Sequence, residues 1–402
     1  MSRLRILILA AGLACTAGAA HAGFMFTPRI GEYGNLARAP YDEGLLYVTE
    51  VEKNFDRDGD KVTVGTPFVE PGESVRLALL SYKALWVGNL FRDTDVWGLK
   101  DRDQFCRLIL TAGWQQATGG AVRRSRLFGF HSGGSGPGDV FIDCGFHGVE
   151  HIAGPLKFNG LLALGLKAPV GRYDEDALLN VGTGYWTWFP QAALHAELYG
   201  KLILDGIVAY QFNGHDSDPA YGGLVPDDPA DIINAEANLA WKFNERWFAN
   251  LGFSHLRTDG DNRYGGVDIE SREPLPAQDL CDALNLGAGL CNSTNLFYAK
   301  AVDGEYRDRG VRLSVLTAGI SYVYRSSSVV SLRALVPVSG RGSQIDVPFD
   351  LHPAVPGLDG QTRPAPVPVA RSTSTLSGVQ EAASAPASPG IELRIVYLFW
   401  AP

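Results

Sequence analysis

Leu198-Tyr199-Gly200-Lys201-Leu202-Ile203-Leu204-Asp205-Gly206-Ile207-Val208-Ala209-Tyr210-Gln211-Phe212 decides the fold. Leu198, Leu202, Leu204, Val208, Tyr210 and Phe212 share one parity, and Lys201, Asp205 and Gln211 share the other. Drawn out as a strand, the stretch has one apolar face and one charged face. The next windows repeat the pattern. Ile233, Ala235, Ala237, Leu239, Trp241 and Phe243 oppose Asn234, Glu236, Asn238 and Lys242, and Trp247, Ala249, Leu251 and Phe253 oppose Arg246, Asn250 and Ser254. Upstream, Leu156, Phe158, Leu162, Leu164 and Leu166 oppose Lys157, Asn159 and Lys167.

Alternation suits a soluble sandwich with its apolar face inward and a membrane barrel with that face outward. Connection lengths separate the two. About twelve strands are expected, near 44–53, 74–88, 103–116, 139–149, 156–168, 183–195, 198–213, 231–243, 246–256, 311–325, 328–338 and 391–399. Connections after even-numbered strands are mostly tight, as at Ala196-Glu197, Asn244-Glu245 and Ser326-Ser327; those after odd-numbered strands are long, culminating in Arg257 to Gly310 and Ser339 to Gly390. An even count, short turns on one side and long loops on the other describe an all-β, antiparallel transmembrane β-barrel with periplasmic turns and external loops. Trp186, Trp188, Trp241, Trp247, Tyr322 and Tyr324 fall at strand ends, where interfacial girdles form. The final Ile391 to Phe399 segment is amphipathic with a late aromatic, which resembles an outer-membrane assembly signal despite the three residues that follow.

The amino-terminal sequence agrees. Arg3 and Arg5 precede an apolar run from Ile6 to Ala14, and Ala20-His21-Ala22 has the small-x-small form of a cleavage site. Residues 1–22 are therefore expected to be a signal peptide, 23–43 an N-terminal segment, and 44–399 an outer-membrane barrel of a Gram-negative cell that includes a Pro-rich loop at about 340–390. That loop, rich in Pro, Ala and Ser, reads as disordered or plug-like. No later stretch is long and apolar enough for a spanning helix. Export and a net charge of -9 exclude nucleic acid as a partner. In an oxidising compartment Cys281 and Cys291 are expected to pair, whereas Cys106 and Cys144 lie in neighbouring strands out of register, so their pairing stays open.

The motifs offer little catalytic or metal chemistry. Asp56-Arg57-Asp58-Gly59-Asp60 has acidic spacing, but Pro67 stands where a calcium loop needs glutamate. Thr258 to Asn262 is another Asp/Gly/Asn turn. His131-Ser132 lacks a nucleophile elbow, His147 and His151 have helical metal spacing on a strand, and His195 has Glu197 on the same face without a nearby nucleophile. No catalytic residue, metal or cofactor is expected. The functional lead is the charged parity, which would turn Lys157, Lys167, Glu197, Lys201, Asp205, Glu236, Lys242, Arg246, Arg333, Glu392 and Arg394 toward a lumen. Phe297, Tyr298 and Tyr264 are candidate apolar contacts in the largest loop. Outer-membrane lipids, the barrel assembly machinery and a small hydrophobic or aromatic permeant are the implied partners. A closed structural or adhesive barrel and a lipid-modifying barrel enzyme are the alternatives.

Gly165-Leu166-Lys167-Ala168-Pro169-Val170-Gly171-Arg172-Tyr173-Asp174, then Leu179-Asn180-Val181-Gly182-Thr183-Gly184-Tyr185-Trp186-Thr187-Trp188-Phe189-Pro190, resembles the signature of the MetA-pathway phenol-degradation family of outer-membrane proteins. Pro169, Gly171, Tyr173, Asn180, Gly182, Trp188 and Pro190 are the matching positions. Ala39 to Gly44 with Asp58 to Lys61, and Gly136 to Val140, are similar to two further family stretches, with Val140 where the family prefers proline. The resemblance implies a transporter-like barrel with no catalytic residues. It does not carry phenol over as the substrate.

Overall fold

The computed structural model describes residues 45–52, 74–88, 104–118, 127–131, 133–177, 180–223, 226–284, 286, 288–308, 312–323, 328–341, 345–376 and 390–400. The expected signal peptide, the segment 23–43, the Asp56 to Asp60 turn and residues 377–389 of the Pro-rich stretch lie outside them.

The strands, in chain order, begin with β1 (Leu45–Glu52), β2 (Ser74–Gly88), β3 (Gln104–Thr118), β4 (Ser135–Ala153), β5 (Leu156–Ala168), β6 (Thr187–Leu198), β7 (Leu202–Asn213), β8 (Asp231–Lys242) and β9 (Trp247–Asp259). They continue with β10 (Asn262–Tyr264), β11 (Leu275–Pro276), β12 (Leu296–Ala301), β13 (Tyr306–Asp308), β14 (Arg312–Val323) and β15 (Ser328–Arg341). The last are β16 (Ile345–Pro356), β17 (Thr362–Pro364), β18 (Ala370–Leu376) and β19 (Gly390–Trp400). Short helices α1 (Ala220–Gly223), α2 (Ala277–Leu284) and α3 (Ala288–Cys291) lie in the long connections.

Hydrogen-bonded neighbours run from β1 through β9 in sequence, then β14, β15 and β19, and β19 pairs back onto β1. Each of these pairs is antiparallel. Within this ring, closure leaves no strand edge open. The tight turns have the chemistry that tight turns need. Tyr199 and Gly200 take left-handed φ of 52° and 64° between β6 and β7, as primed hairpin turns require. Asn244 Oδ1 accepts from the backbone N–H of Arg246 (2.9 Å) and Trp247 (3.1 Å), an Asx turn before β9.

Alternation sets the two faces of the wall. On β6, Thr187, Phe189, Gln191, Ala193, His195 and Glu197 are buried, while Trp188, Pro190 and Ala192 are exposed. Across the hairpin Leu162 and Leu164 are exposed and Leu161 and Ala163 are buried. Gly165 sits directly opposite Phe189, and a Cβ there would lie 1.8 Å from the Phe189 ring, so the glycine makes room for an aromatic on the buried face.

The two longest connections fold into a cap. Strands β11, β12, β16 and β17 form one sheet, with β18 also paired to β16, and β10 pairs with β13. Leu280 and Leu284 of α2, Phe297, Ala299 and Ala301 of β12, and Val347, Phe349 and Leu351 of β16 are buried in one cluster with Tyr264, Val267 and Ile269. Ile232 near the start of β8 and Leu256 near the end of β9 belong to it, as does Phe128 from the β3–β4 connection, so the cap is anchored to the loop end of the barrel. Full burial of such side chains contributes about 1.5–3 kcal/mol each. A disulfide joins Cys281 of α2 to Cys291 of α3 across ten residues of sequence.

Two expectations change. The Pro-rich stretch is ordered sheet over much of its length, because Val347, Phe349 and Leu351 alternate into the cap core, and prolines such as Pro348 and Pro353 take register positions opposite Thr373 of β18 and Phe297 of β12. The carbonyl of Pro348 accepts from Val302, one position past the Ala301 to Phe349 pair that ends the β12 ladder, so its missing N–H costs no strand bond. Cys106 and Cys144 are directly opposite in register and form a disulfide. The expected register was wrong because β4 starts at Ser135 rather than 139, which moves the centre of the β3–β4 hairpin.

Candidate functional site

The buried face of the barrel wall carries hydrogen-bonded charge. Arg107 donates from Nε and Nη2 to the two oxygens of Asp143, at 2.9 and 2.8 Å, and the side chains are 3% and 0% exposed. A bidentate pair of this kind is among the stronger charge-assisted contacts. Gln191 Nε2 donates to Asp143 Oδ2 as well, at 2.8 Å, so the carboxylate ties β3, β4 and β6 together. Lower on the same face His195 Nδ1 lies 2.6 Å from Asp205 Oδ1. Lys167, fully buried, places its ammonium 4.1 Å from the centre of the Tyr185 ring, a cation–π contact. Asn250 Nδ2 donates to Ser321 Oγ at 3.0 Å, linking β9 to β14.

The sequence-derived lumen residues divide by height along the strands. Lys167, Glu197 and Asp205 are buried, and Glu236 and Lys242 are half-buried. Lys157, Lys201 and Arg246 are exposed at the tight-turn ends of their hairpins. The register puts Arg333 opposite Glu392 and Arg394 opposite Ser331; the side chains of Arg333, Glu392 and Arg394 fall outside the described ones. Arg107, Asp143 and Gln191 were not singled out in the sequence, yet they form the central link. A carboxylate at Asp143, flanked by Ile142 and Cys144 inside an apolar strand, was the available signal.

The family-motif residues build a latch at the loop end, with Asp139 at its centre. Asp139 Oδ1 accepts from Gly171 N–H (3.0 Å), and Oδ2 accepts from the N–H and hydroxyl of Thr183 (3.0 and 2.6 Å). Gly182 N–H bonds the Arg172 carbonyl, and Arg172 N–H bonds that of Pro137. A Cβ at Gly182 would approach Gly171 backbone to 2.8 Å, and one at Gly171 would meet Gly138 backbone at 2.7 Å, so both positions need glycine for close backbone approach. Asn180 closes its own loop through Asp174 N–H and carbonyl, both at 2.8 Å. Tyr173 donates to Asp216 Oδ2 at 2.9 Å; burial raises the Asp216 carboxyl above its ordinary value. Pro169 is half-buried in this loop, and Trp188 and Pro190 are exposed on the outer face of β6. The motif is architecture.

The expected loop contacts are placed differently. Tyr264 and Phe297 are buried in the cap core, so they are unavailable to a passing solute, while Tyr298 donates to the Thr362 carbonyl at 2.9 Å. Of the histidines, His255 Nδ1 shares a hydrogen bond with Ser314 Oγ at 2.8 Å. Among the described residues no carboxylate bonds His255, so the third member of a hydrolytic triad is not assembled there. Among the described residues no group of three or more His, Cys, Asp or Glu could hold a metal ion.

Outside the barrel, large apolar side chains form a band. Leu162, Leu164, Leu204, Val208, Leu239, Leu251, Phe253, Leu316 and Ile320 are exposed. Trp186, Trp188 and Phe212 flank it at the loop end, and Trp241, Phe243 and Trp247 at the tight-turn end, where Trp247 packs on Tyr322 with ring centroids 4.7 Å apart.

A family model described as "Putative MetA-pathway of phenol degradation" matches residues 56–289. The fold is similar to the crystal structure of an outer membrane channel from Pseudomonas putida F1, at TM-score 0.50 and 13% identity, covering 93% of this chain and 100% of that one. The ferric preacinetobactin receptor BauA from Acinetobacter baumannii is matched at TM-score 0.20 and 8% identity over 81% of this chain and 64% of that chain, which carries no argument. No curated protein matches the sequence.

Proposed function

The chain belongs to the family described as "Putative MetA-pathway of phenol degradation", and on that premise we propose that it is a twelve-strand outer-membrane barrel that conducts small hydrophobic or aromatic compounds. The observation that carries the reading is the inside-out wall. An exposed apolar band is flanked by aromatics at both ends, and the opposite face is lined by Arg107, Asp143, Gln191, His195 and Asp205. In water an outward band of this extent is a liability, whereas in a bilayer it is the lipid-facing surface of a barrel. The tight turns then face the periplasm and the cap faces outside. The similar channel from Pseudomonas putida F1 and the family's link with phenol degradation both support an aromatic permeant. Lys167, Glu197, Asp205, Glu236 and Lys242 face the lumen in this reading, and Lys157, Lys201 and Arg246 ring its periplasmic mouth.

Reconstitution of the full chain in liposomes tests it. Entry of aromatic solutes is expected to exceed that of aliphatic solutes of equal size, and equal, background-level entry of both would overturn the reading. Full burial of Asp143, Lys167 and Asp205 favours a second reading, a barrel closed by its own charge network, which the same background-level result would support.

A further inference from the structure

On β9 the residues of the outward parity, followed from the tight turn to the loop end, are Trp247, Ala249, Leu251, Phe253, His255 and Arg257; on β14, in the same direction, they are Tyr322, Ile320, Ala318, Leu316, Ser314 and Arg312, of which Ser314 is buried. Both columns run from an aromatic through apolar residues to the hydrogen-bonded His255 and Ser314 and end on an arginine. Arg257 and Arg312 are exposed and stand directly opposite each other, and the register continues the row to Arg341 of β15. Like charges directly opposite on neighbouring strands destabilise a sheet, and arginine on the lipid face of a barrel is tolerated only near an interface. Among the described residues neither Arg257 nor Arg312 has an ion-pair partner. The carboxylates nearest in the pattern, Asp231 and Asp259 one row further out, both accept from the Tyr210 hydroxyl.

Height identifies the missing counter-charge. Arg257 is ten residues beyond Trp247, and Arg312 ten before Tyr322. At about 3.3 Å per residue and a strand tilt near 40°, that is roughly 25 Å, the height of a barrel's apolar band. The arginines therefore sit where the outer-leaflet head groups begin. We propose that Arg257 and Arg312 form a binding site on the outer wall for the phosphorylated sugar head group of an outer-leaflet glycolipid, a phosphate bridging the two guanidinium groups. Bidentate contact to a phosphate is what a planar guanidinium does best. The site rests on the outer-membrane reading above, and gives that surface a specific lipid partner.

The test uses full chain refolded free of glycolipid, titrated with bisphosphorylated lipid A, dephosphorylated lipid A or inorganic phosphate, with bound lipid counted by native mass spectrometry. Wild type is expected to hold bisphosphorylated lipid A about tenfold more tightly than the dephosphorylated form, with no response to inorganic phosphate. R257Q/R312Q is expected to lose that preference, R257K/R312K to keep part of it, and R263Q, whose arginine pairs with Asp228 in the loops, to keep all of it. Equal binding of the two lipid forms by wild type overturns the site, whether or not the glutamine variant folds, and so does an R257Q/R312Q protein that retains the preference. Protease protection in vesicles, read on the same samples, separates the two readings. Failure to insert sinks the membrane assignment, whereas insertion without lipid preference sinks the arginine site alone.

Discussion

On β6 the exposed positions include Trp188, Pro190 and Ala192 and the buried ones include Gln191, His195 and Glu197, whereas on β16 the buried positions are Val347, Phe349 and Leu351 with Pro348 and Asp350 half-buried between them. Both strands alternate with the same period, and they bury opposite chemistry. The barrel wall turns its apolar side out and buries polar groups on the other face, some of them paired, as Arg107 with Asp143 and His195 with Asp205. The cap buries an apolar core under an outer layer of polar groups. In the membrane reading one chain meets two solvents, and the two regions join at Ile232 and Leu256, barrel residues that belong to the cap core.

The comparison breaks most sharply at Arg107 and Asp143. Replacing Asp143 by Asn leaves a buried guanidinium uncompensated and is expected to destabilise the barrel by about 3–5 kcal/mol, read as a lowered denaturant midpoint of protein folded in vesicles. The double variant Arg107→Met/Asp143→Leu removes both charges and is expected to regain most of that loss. Equal losses in the single and double variants would mean that the interior is wet and the charges are not bound to each other. Next in size is Phe349→Ala in the cap, expected to cost about 3 kcal/mol, since the ring is fully buried and stacks on Phe128 with centroids 5.6 Å apart. Limited proteolysis should then cut within 260–308 or 345–376 while the barrel keeps its heat resistance on gels. A barrel that melts together with the cap would show that Ile232 and Leu256 weld the two into one cooperative unit.

The asymmetry between the regions also governs what could be read in advance. Strand positions were legible wherever a residue pattern of period two ran unbroken, so β7, β8 and β9 lie within four residues of where alternation puts them. The cap was not, because its strands are short, its prolines mimic a disordered composition, and Val347, Phe349 and Leu351 become a recognisable apolar face only once β12 lies beside them. Charged parity put Lys167 and Asp205 on one face of their strands, where both are buried, but did not say which charges meet. That depends on register, and register in β3 and β4 depends on where β4 begins. The Pro169 to Pro190 motif could be seen as a signature, while Asp139, the acceptor that holds it together, lies more than thirty residues upstream in the separate Gly136 to Val140 stretch, and nothing local tells which loop it meets.

Asp139 is the place where the wall hands over to the loops, and its effect is expected to fall below those of the two cores. Asp139→Ala removes the acceptor of two backbone N–H groups and one hydroxyl, and leaves the Gly171 and Thr183 N–H groups without that acceptor and the hydroxyl with only the longer contact to the Tyr185 carbonyl, at a cost of about 1–3 kcal/mol. Faster amide hydrogen exchange at Gly171 and Thr183, without change in the β5–β6 ladder, is the expected signature. Exchange that quickens along the whole of β5 would show that the latch sets the strand register and does not merely tie down a loop.

The smallest effect belongs to the surface of the cap. Arg371 donates to both oxygens of Asp350, at 2.6 and 2.9 Å, and this hydrogen bond, helped by the guanidinium charge, holds the Asp350 carboxyl below the ordinary carboxylate value. A carboxyl whose value is lowered on folding contributes stability that is in full force above its unfolded value of about 3.9 and is lost as pH falls through the lowered folded one. Cap stability is therefore expected to show no dependence on this pair at neutral pH and a slight decline in strong acid, absent in Asp350→Asn. Exposed pairs are weak and screened by salt, so raising ionic strength should flatten the same decline, whereas the buried Arg107 to Asp143 pair should be nearly indifferent to salt. If both pairs responded to salt alike, the lumen wall would be as open to water as the outside of the cap, and the contrast between the two regions would fail at its most direct electrostatic test.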